Sequence, residues 1–115
     1  MGRRGEDSAT TTRRIGDLVV VSPASELDMA TAPGFIRAVE HVQDQSPIVV
    51  DLRELTFIDS MGIRALIQAA GGLDRDSNVS FVRASDRIQR ILGLAGIEPA
   101  LRWTDAPAEP ASEAI

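Results

Sequence analysis

The stretch Asp51-Leu-Arg-Glu-Leu-Thr-Phe-Ile-Asp-Ser-Met-Gly-Ile63 decides the fold, because it joins a buried apolar segment to the start of a helix. The preceding residues Ile48-Val-Val50 are apolar without a break, which is typical of a strand covered on both faces. Asp59-Ser60 then opens a segment in which apolar side chains recur at helical spacing, namely Ile63, Leu66, Ile67 and Ala70. The stretch therefore predicts a central strand over 48–52, followed by a helix with one buried face.

Upstream of this stretch, the pattern predicts a hairpin and one helix. Residues 11–15 and the β-branched run Leu18-Val-Val-Val21 flank the turn Gly16-Asp17, so we expect a two-stranded hairpin at a sheet edge. Thr31-Ala-Pro33 opens a helix, with Thr31 or Ala32 near its cap. Its buried face consists of Phe35, Ile36, Val39 and Val42.

Downstream, the pattern predicts a strand over 79–82, a helix over 86–94 and a last strand over 101–103. Gly71-Gly72 weakens the preceding helix, which frays there or continues to about Arg75. Gly96 occupies the expected left-handed C-cap position of the later helix. The order β-β-α-β-α-β-α-β predicts an α/β fold with a mixed, mostly parallel sheet, covered mainly on one side by three helices.

Composition excludes several classes of function. The chain has 115 residues, no cysteine, one histidine, no lysine and a net charge of −5. Thiol chemistry, Schiff-base chemistry and a phosphate-loop lysine are thus absent, and we expect no metal site, no cofactor and no catalytic activity. The negative charge argues against a nucleic-acid partner. No apolar run is long enough to span a membrane and no signal peptide is visible, so we expect a cytoplasmic protein without membrane insertion.

The expected organisation is a flexible leader at residues 1–12, one domain at 13–104, and a tail at 105–115 that is unstructured or forms a short helix from Pro107.

Three segments together resemble the STAS domain of anti-sigma-factor antagonists. They are Glu26-Leu-Asp28, the run from Asp51 to Ile63 with Asp-Ser-x-Gly at its helix start, and Arg87-Ile-Gln-Arg-Ile-Leu-Gly-Leu-Ala-Gly-Ile97. The resemblance extends over roughly residues 15 to 103 and implies a four- to five-stranded sheet flanked by helices. It also implies a function, which is to bind an anti-sigma factor that is a serine kinase and thereby control sigma-factor-dependent transcription. We also expect a phosphatase as a further partner, and a chain that is monomeric or weakly dimeric.

The family's phosphorylated serine corresponds to Ser60 of this chain. At a helix start its hydroxyl would lie near free backbone N–H groups, which favour an added anion. The alternative interpretation is that Ser60 is an ordinary N-cap. Met61 stands where the family usually has a small residue. Further candidates for partner contact are Asp28, Asp59, Met61, Gly62 and Arg64.

Four of these further candidates also have a simpler structural explanation. Asp59 caps the helix, Asp28 is a turn residue, and Arg64 and Gln68 lie on a solvated helix face. Gly62 allows close approach of the backbone. His41 is a surface residue near a helix end, and Trp103 fills a core or edge position.

Other protein classes fit less well. A serine hydrolase would require Gly-x-Ser-x-Gly and a later histidine, but Ile58 replaces the first glycine and His41 precedes Ser60. A response-regulator receiver would require a lysine. The remaining alternative is a STAS structural subunit that braces the ATPase of a lipid-transport complex, in which Ser60 is not modified.

Overall fold

The computed structural model describes residues 10–43, 47–71 and 78–108. The elements of this part of the chain are, in order, β1 (Thr11–Ile15), β2 (Leu18–Ser22), β3 (Glu26–Leu27), α1 (Ala32–Val42), β4 (Ile48–Asp51), β5 (Phe57–Ile58), α2 (Ser60–Ala69), β6 (Val79–Val82), α3 (Asp86–Leu94), a 3-10 helix (Glu98–Ala100) and β7 (Trp103–Thr104). This order confirms the predicted alternation of strands and helices, to which it adds the two short strands β3 and β5.

The main sheet has the strand order β1-β2-β4-β6-β7, and β3 pairs with β5 in a separate two-stranded sheet. Strand β1 is an antiparallel edge against β2, whereas all other pairs are parallel. From β2 to β7 each crossover moves in the same direction across the sheet. Because such crossovers are right-handed, α1, α2 and α3 lie on the same face. The predicted α/β fold with a mixed, mostly parallel sheet is confirmed.

The central strand is buried as its sequence predicts. β4 is third of the five strands, between β2 and β6, and all four of its residues are buried. It ends at Asp51, one residue earlier than predicted, and Leu52 is buried directly after it.

The core lies between the sheet and the three helices. Alternate residues of β2, β4 and β6 face the helices, since successive side chains of a strand point to opposite faces. The main contributors from the sheet and helices are Val19, Val21, Ile48, Val50, Phe81, Phe35, Val39, Leu66, Ile88 and Leu92.

Two glycines end helices in the left-handed conformation. Gly71 has φ +81° and follows α2, which ends at Ala69. The predicted extension toward Arg75 falls outside the described residues. Gly96 has φ +80°, and the Ile97 N–H donates to the Leu92 carbonyl at 3.2 Å, which confirms the predicted C-cap.

The ends of the chain differ in detail from the expectation. Strand β1 begins at Thr11, inside the predicted leader, and residues 1–9 lie outside the described part. The last strand starts at Trp103 and not at Leu101, because the preceding residues form the 3-10 helix and Leu101 ends it. Residues 105–108, which include Pro107, belong to no helix or strand, and 109–115, the rest of the tail or short terminal helix that was expected, are outside the described part.

Candidate functional site

The short β3–β5 ladder brings two distant segments together. Its parallel register pairs Leu27 with Ile58, and the Asp59 N–H donates to the Leu27 carbonyl at 3.3 Å. Asp28 and Asp59 therefore follow the carboxyl ends of two adjacent strands. Strands of two residues are too short to show a periodic pattern, so this pairing is not predictable from the sequence.

Asp59 is the N-cap of α2. Its backbone is extended (φ −115°, ψ −173°), and its Oδ1 accepts hydrogen bonds from the N–H groups of Met61 at 2.9 Å and Gly62 at 3.0 Å. The other carboxylate oxygen, Oδ2, accepts from the Met29 N–H at 3.4 Å. One side chain thus closes the helix end and links it to the residues after β3.

Ser60 is the first residue of α2 and is exposed. It is not the N-cap, so the interpretation of Ser60 as an ordinary cap is wrong. Within the described part of the chain no hydrogen bond uses its hydroxyl. The expectation of free N–H groups beside it also needs correction, because the Asp59 carboxylate already occupies those of Met61 and Gly62.

Asp28 organises the turn that leads into α1. Its Oδ1 accepts from the N–H groups of Ala30 at 3.0 Å and Thr31 at 3.1 Å. Thr31, which the sequence indicated only as a cap, accepts from the Asp28 N–H at 3.0 Å and donates to the Glu26 carbonyl at 2.7 Å. Asp28 is therefore a turn residue, as the simpler explanation held, and it still lies beside the start of α2.

Gly62 is buried where α2 crosses β3. A Cβ on Gly62 would collide with the Leu27 carbonyl and lie 2.7 Å from Ile58 Cγ1. The helix can approach the strand backbone this closely only because position 62 lacks a side chain. The observed contribution of Gly62 is to this packing.

Three apolar side chains are exposed in the segments that meet at Asp59, next to Ser60. Met61 is 41% exposed, Met29 71% and Phe57 45%. Arg64 and Gln68 are exposed on α2. Sequence reasoning singled out Met61 and Arg64 but missed Met29 and Phe57, whose only signal was their position beside Asp28 and Asp59.

A second charged group lies at the end of β4. Asp51 is 6% exposed and accepts from Arg53 Nε at 3.0 Å and from Arg53 Nη2 at 2.7 Å. These side-chain hydrogen bonds hold the pKa of the Asp51 carboxyl below its ordinary value, although burial opposes them. The backbone N–H of Arg53 also donates to Asp51 Oδ1, so the group fixes the turn after the strand.

The other two residues considered from sequence lie away from Ser60. Trp103 donates its indole N–H to the Glu98 carbonyl at 2.9 Å and packs edge-on against Phe81, as expected of an edge filler. His41 is exposed in the last turn of α1.

Within the described residues there is neither a membrane-spanning helix nor a metal-binding group of side chains. No helix there is long and apolar enough to cross a membrane. No group of three or more histidine, cysteine, aspartate or glutamate side chains in residues 10–43, 47–71 and 78–108 is arranged to hold a metal ion.

Comparisons with known proteins identify a domain family and several similar structures. The family model of the STAS domain matches residues 9–109. The chain is similar to a crystal structure of an anti-sigma factor antagonist from Mycobacterium paratuberculosis, with 26% sequence identity, a TM-score of 0.72, and coverage of 85% of this chain and 86% of that one. No functionally curated protein shows significant sequence similarity to this chain.

Two more distant structures share the fold. The Bacillus anti-sigma factor antagonist SpoIIAA in its unphosphorylated form is 17% identical with a TM-score of 0.62, and the match covers 92% of this chain and 94% of that one. The murine Solute Carrier 26 family member A9 anion transporter is 16% identical with a TM-score of 0.64, and the match covers 83% of this chain but 17% of the transporter.

Proposed function

The chain belongs to the STAS domain family, and we propose on that basis that it is an anti-sigma-factor antagonist. It binds an anti-sigma factor that has serine kinase activity, and this binding frees a sigma factor for transcription. Phosphorylation of Ser60 by the same partner ends the binding. The similarity to the mycobacterial anti-sigma factor antagonist supports this class of function.

The observation that carries the proposal is the unused hydroxyl of Ser60 at the start of α2. Asp59 caps the helix, so the Ser60 hydroxyl is exposed and has no structural hydrogen bond in the described chain. A kinase can therefore transfer the γ-phosphoryl group of ATP to Ser60 Oγ without disturbing the fold. ADP leaves, and a base of the kinase takes the hydroxyl proton.

The surroundings of Ser60 favour a phosphate that repels the partner over a phosphate that is bound by groups of this chain. A phosphoserine carries about −1.5 to −2 charges. Asp59 precedes it, and Asp59 Oδ1 already accepts from the N–H groups of Met61 and Gly62. The new charge therefore stays at the surface, where a partner that docks on a neutral hydroxyl would have to desolvate it. A penalty of about 3 kcal/mol corresponds to roughly a hundredfold loss of affinity.

We propose no catalytic activity for the chain itself, because the partner supplies ATP and the catalytic base. The role of the chain is to present Ser60 and the surface around it.

A binding titration against the cognate anti-sigma factor tests the proposal. Ser60→Ala should bind as the unmodified chain does and should resist phosphorylation. Ser60→Asp should bind roughly tenfold or more weakly, since one carboxylate reproduces only part of the phosphate charge.

Ser85→Ala is the matched control, because Ser85 is also an exposed serine at a helix start. This variant should bind and accept phosphate like the wild type. Equal affinities of the wild type and Ser60→Asp would contradict the proposal. Co-purification with a transport ATPase, without phosphate on Ser60, would instead favour the structural-subunit alternative.

A further inference from the structure

The backbone N–H groups of both methionines of the described chain donate to the Asp59 carboxylate. Oδ1 accepts from the Met61 N–H at 2.9 Å, and Oδ2 accepts from the Met29 N–H at 3.4 Å. Ser60 lies between Asp59 and Met61 in the sequence. The segments that carry the two methionines, which are 32 positions apart, therefore meet at Asp59, next to Ser60.

Their side chains are exposed although they are apolar. Met29 is 71% exposed and Met61 41%. Phe57, on the strand that leads to Asp59, is 45% exposed, so three of the four large exposed hydrophobic side chains in the described chain belong to the segments that meet at Ser60. Single exposed apolar residues are ordinary, but such a grouping marks a contact surface.

Thioether side chains adapt to irregular apolar surfaces, which is why methionines are frequent where one protein binds another. They are also chemically labile. A peroxide transfers one oxygen atom to the sulfur, giving the sulfoxide while the peroxide is reduced to water. The product is polar, so it no longer gains from burial in an apolar contact.

We propose that Met29 and Met61 form an oxidisable contact pair, which binds an apolar surface of the anti-sigma partner when reduced and loses that contact when a peroxide converts it to sulfoxide. The inference rests on the proposed function, because it names the chemistry of the surface that surrounds Ser60. It adds a second modification that weakens the complex, independent of the phosphate.

The acidic groups beside the pair indicate which apolar surface fits. Asp28 and Asp59 are partly exposed and Glu26 is exposed, all within the segments that carry the methionines. The complementary partner surface is therefore apolar where it meets the thioethers and basic at its border. A second copy of this chain would instead place carboxylates against carboxylates.

The experiment compares binding to the anti-sigma partner before and after treatment with hydrogen peroxide, with peptide mass mapping to count sulfoxides. Oxidation of the wild type should weaken binding about tenfold or more, since the buried area of a methionine side chain is lost. The double variant Met29→Leu/Met61→Leu conserves volume and has no sulfur at either position. Its affinity is measured first without peroxide, and that starting affinity should then not change after peroxide, while Met1 serves as an internal control for oxidation elsewhere.

Leu94→Gln is the control for a loss of exposed apolar surface in general, because Leu94 is 83% exposed at the end of α3, away from Ser60. It should not change the affinity. The inference would be overturned if the fully oxidised wild type kept its affinity, or if peroxide lowered the affinity of the double leucine variant as much as that of the wild type.

The phosphate switch is read separately from Ser60→Asp. Loss of binding in Ser60→Asp without any effect of oxidation would retain the proposed function and reject the contact pair. The opposite pattern would retain the pair and reject the switch.

Discussion

Replacing Gly62 with alanine should destabilise the protein, although alanine is the better helix former. In α2 the new Cβ would collide with the Leu27 carbonyl group and would lie 2.7 Å from Ile58 Cγ1. The first of these obstacles is strand backbone, which cannot rotate away as a flexible side chain can. The helix must therefore move away from β3, which also disturbs the residues on either side of Ser60.

The expected magnitude follows from two opposing contributions. Overpacking a buried site costs about 1–3 kcal/mol, and a backbone clash belongs at the upper end. The higher helix propensity of alanine offsets about 1 kcal/mol. The net loss in the free energy of unfolding is then about 2 kcal/mol, which lowers the Tm by roughly 10 °C in a domain of this size.

Thermal and urea unfolding can be followed by the fluorescence of Trp103, the single tryptophan, whose ring packs 6.0 Å from that of Phe81. Gly93→Ala is the matched control. Gly93 is exposed in α3, and the nearest atom to its new Cβ would be Glu98 Oε1 at 3.6 Å. This variant should gain about 0.5–1 kcal/mol from helix propensity alone. A Gly62→Ala variant as stable as the wild type would refute the close approach of α2 to β3.

Three further predictions concern caps and charge. Ser60→Ala should leave the free energy of unfolding within about 0.5 kcal/mol of the wild type, whereas Ser85→Ala should lower it by about 1 kcal/mol, because only Ser85 caps its helix. Urea titration measures both values, and equal losses in the two variants would contradict this assignment of the caps. Asp59→Ala should lower the free energy of unfolding by about 1–2 kcal/mol and Asp59→Asn by much less, since asparagine also caps helices. Equal losses of the two variants in urea titration would contradict the role of Asp59 as the N-cap. Asp51→Asn should cost about 2 kcal/mol near neutral pH, because charged hydrogen bonds to Arg53 are lost. Because the folded-state pKa of Asp51 is lowered, its contribution to the free energy of unfolding is complete well above pH 3.8, the ordinary pKa, and is lost as the pH falls through the still lower folded value. Urea titrations of the wild type and Asp51→Asn should therefore converge at acid pH. A difference in stability that stays constant with pH would contradict the Asp51–Arg53 pair.

The sequence was sufficient for the elements whose pattern is long enough to show a period. The run Ile48-Val-Val50 identified the buried central strand, and apolar spacing identified α2. Gly96 marked a helix end correctly because its left-handed conformation strongly favours glycine. Each of these features depends on a short stretch of neighbouring residues and is therefore visible in the sequence.

The site was less predictable, because it depends on contacts between distant segments. The β3–β5 ladder has two residues per strand, and its register places Met29 beside Asp59. The sequence also could not decide whether Asp59 or Ser60 caps α2, since both residue types are good caps and the backbone conformation makes the choice. That choice determines whether the serine hydroxyl is structural or available.

Site-resolved mass spectrometry tests most directly whether Ser60 is the phosphate acceptor. The chain is incubated with the cognate anti-sigma kinase and ATP, its intact mass is measured, and the modified residue is mapped by peptide fragmentation. We predict a single phosphate on Ser60 of the wild type, the same on Ser85→Ala, and none on Ser60→Ala. A phosphate that persists on Ser60→Ala, or that maps to another residue of the wild type, would contradict the assignment of Ser60 as the acceptor.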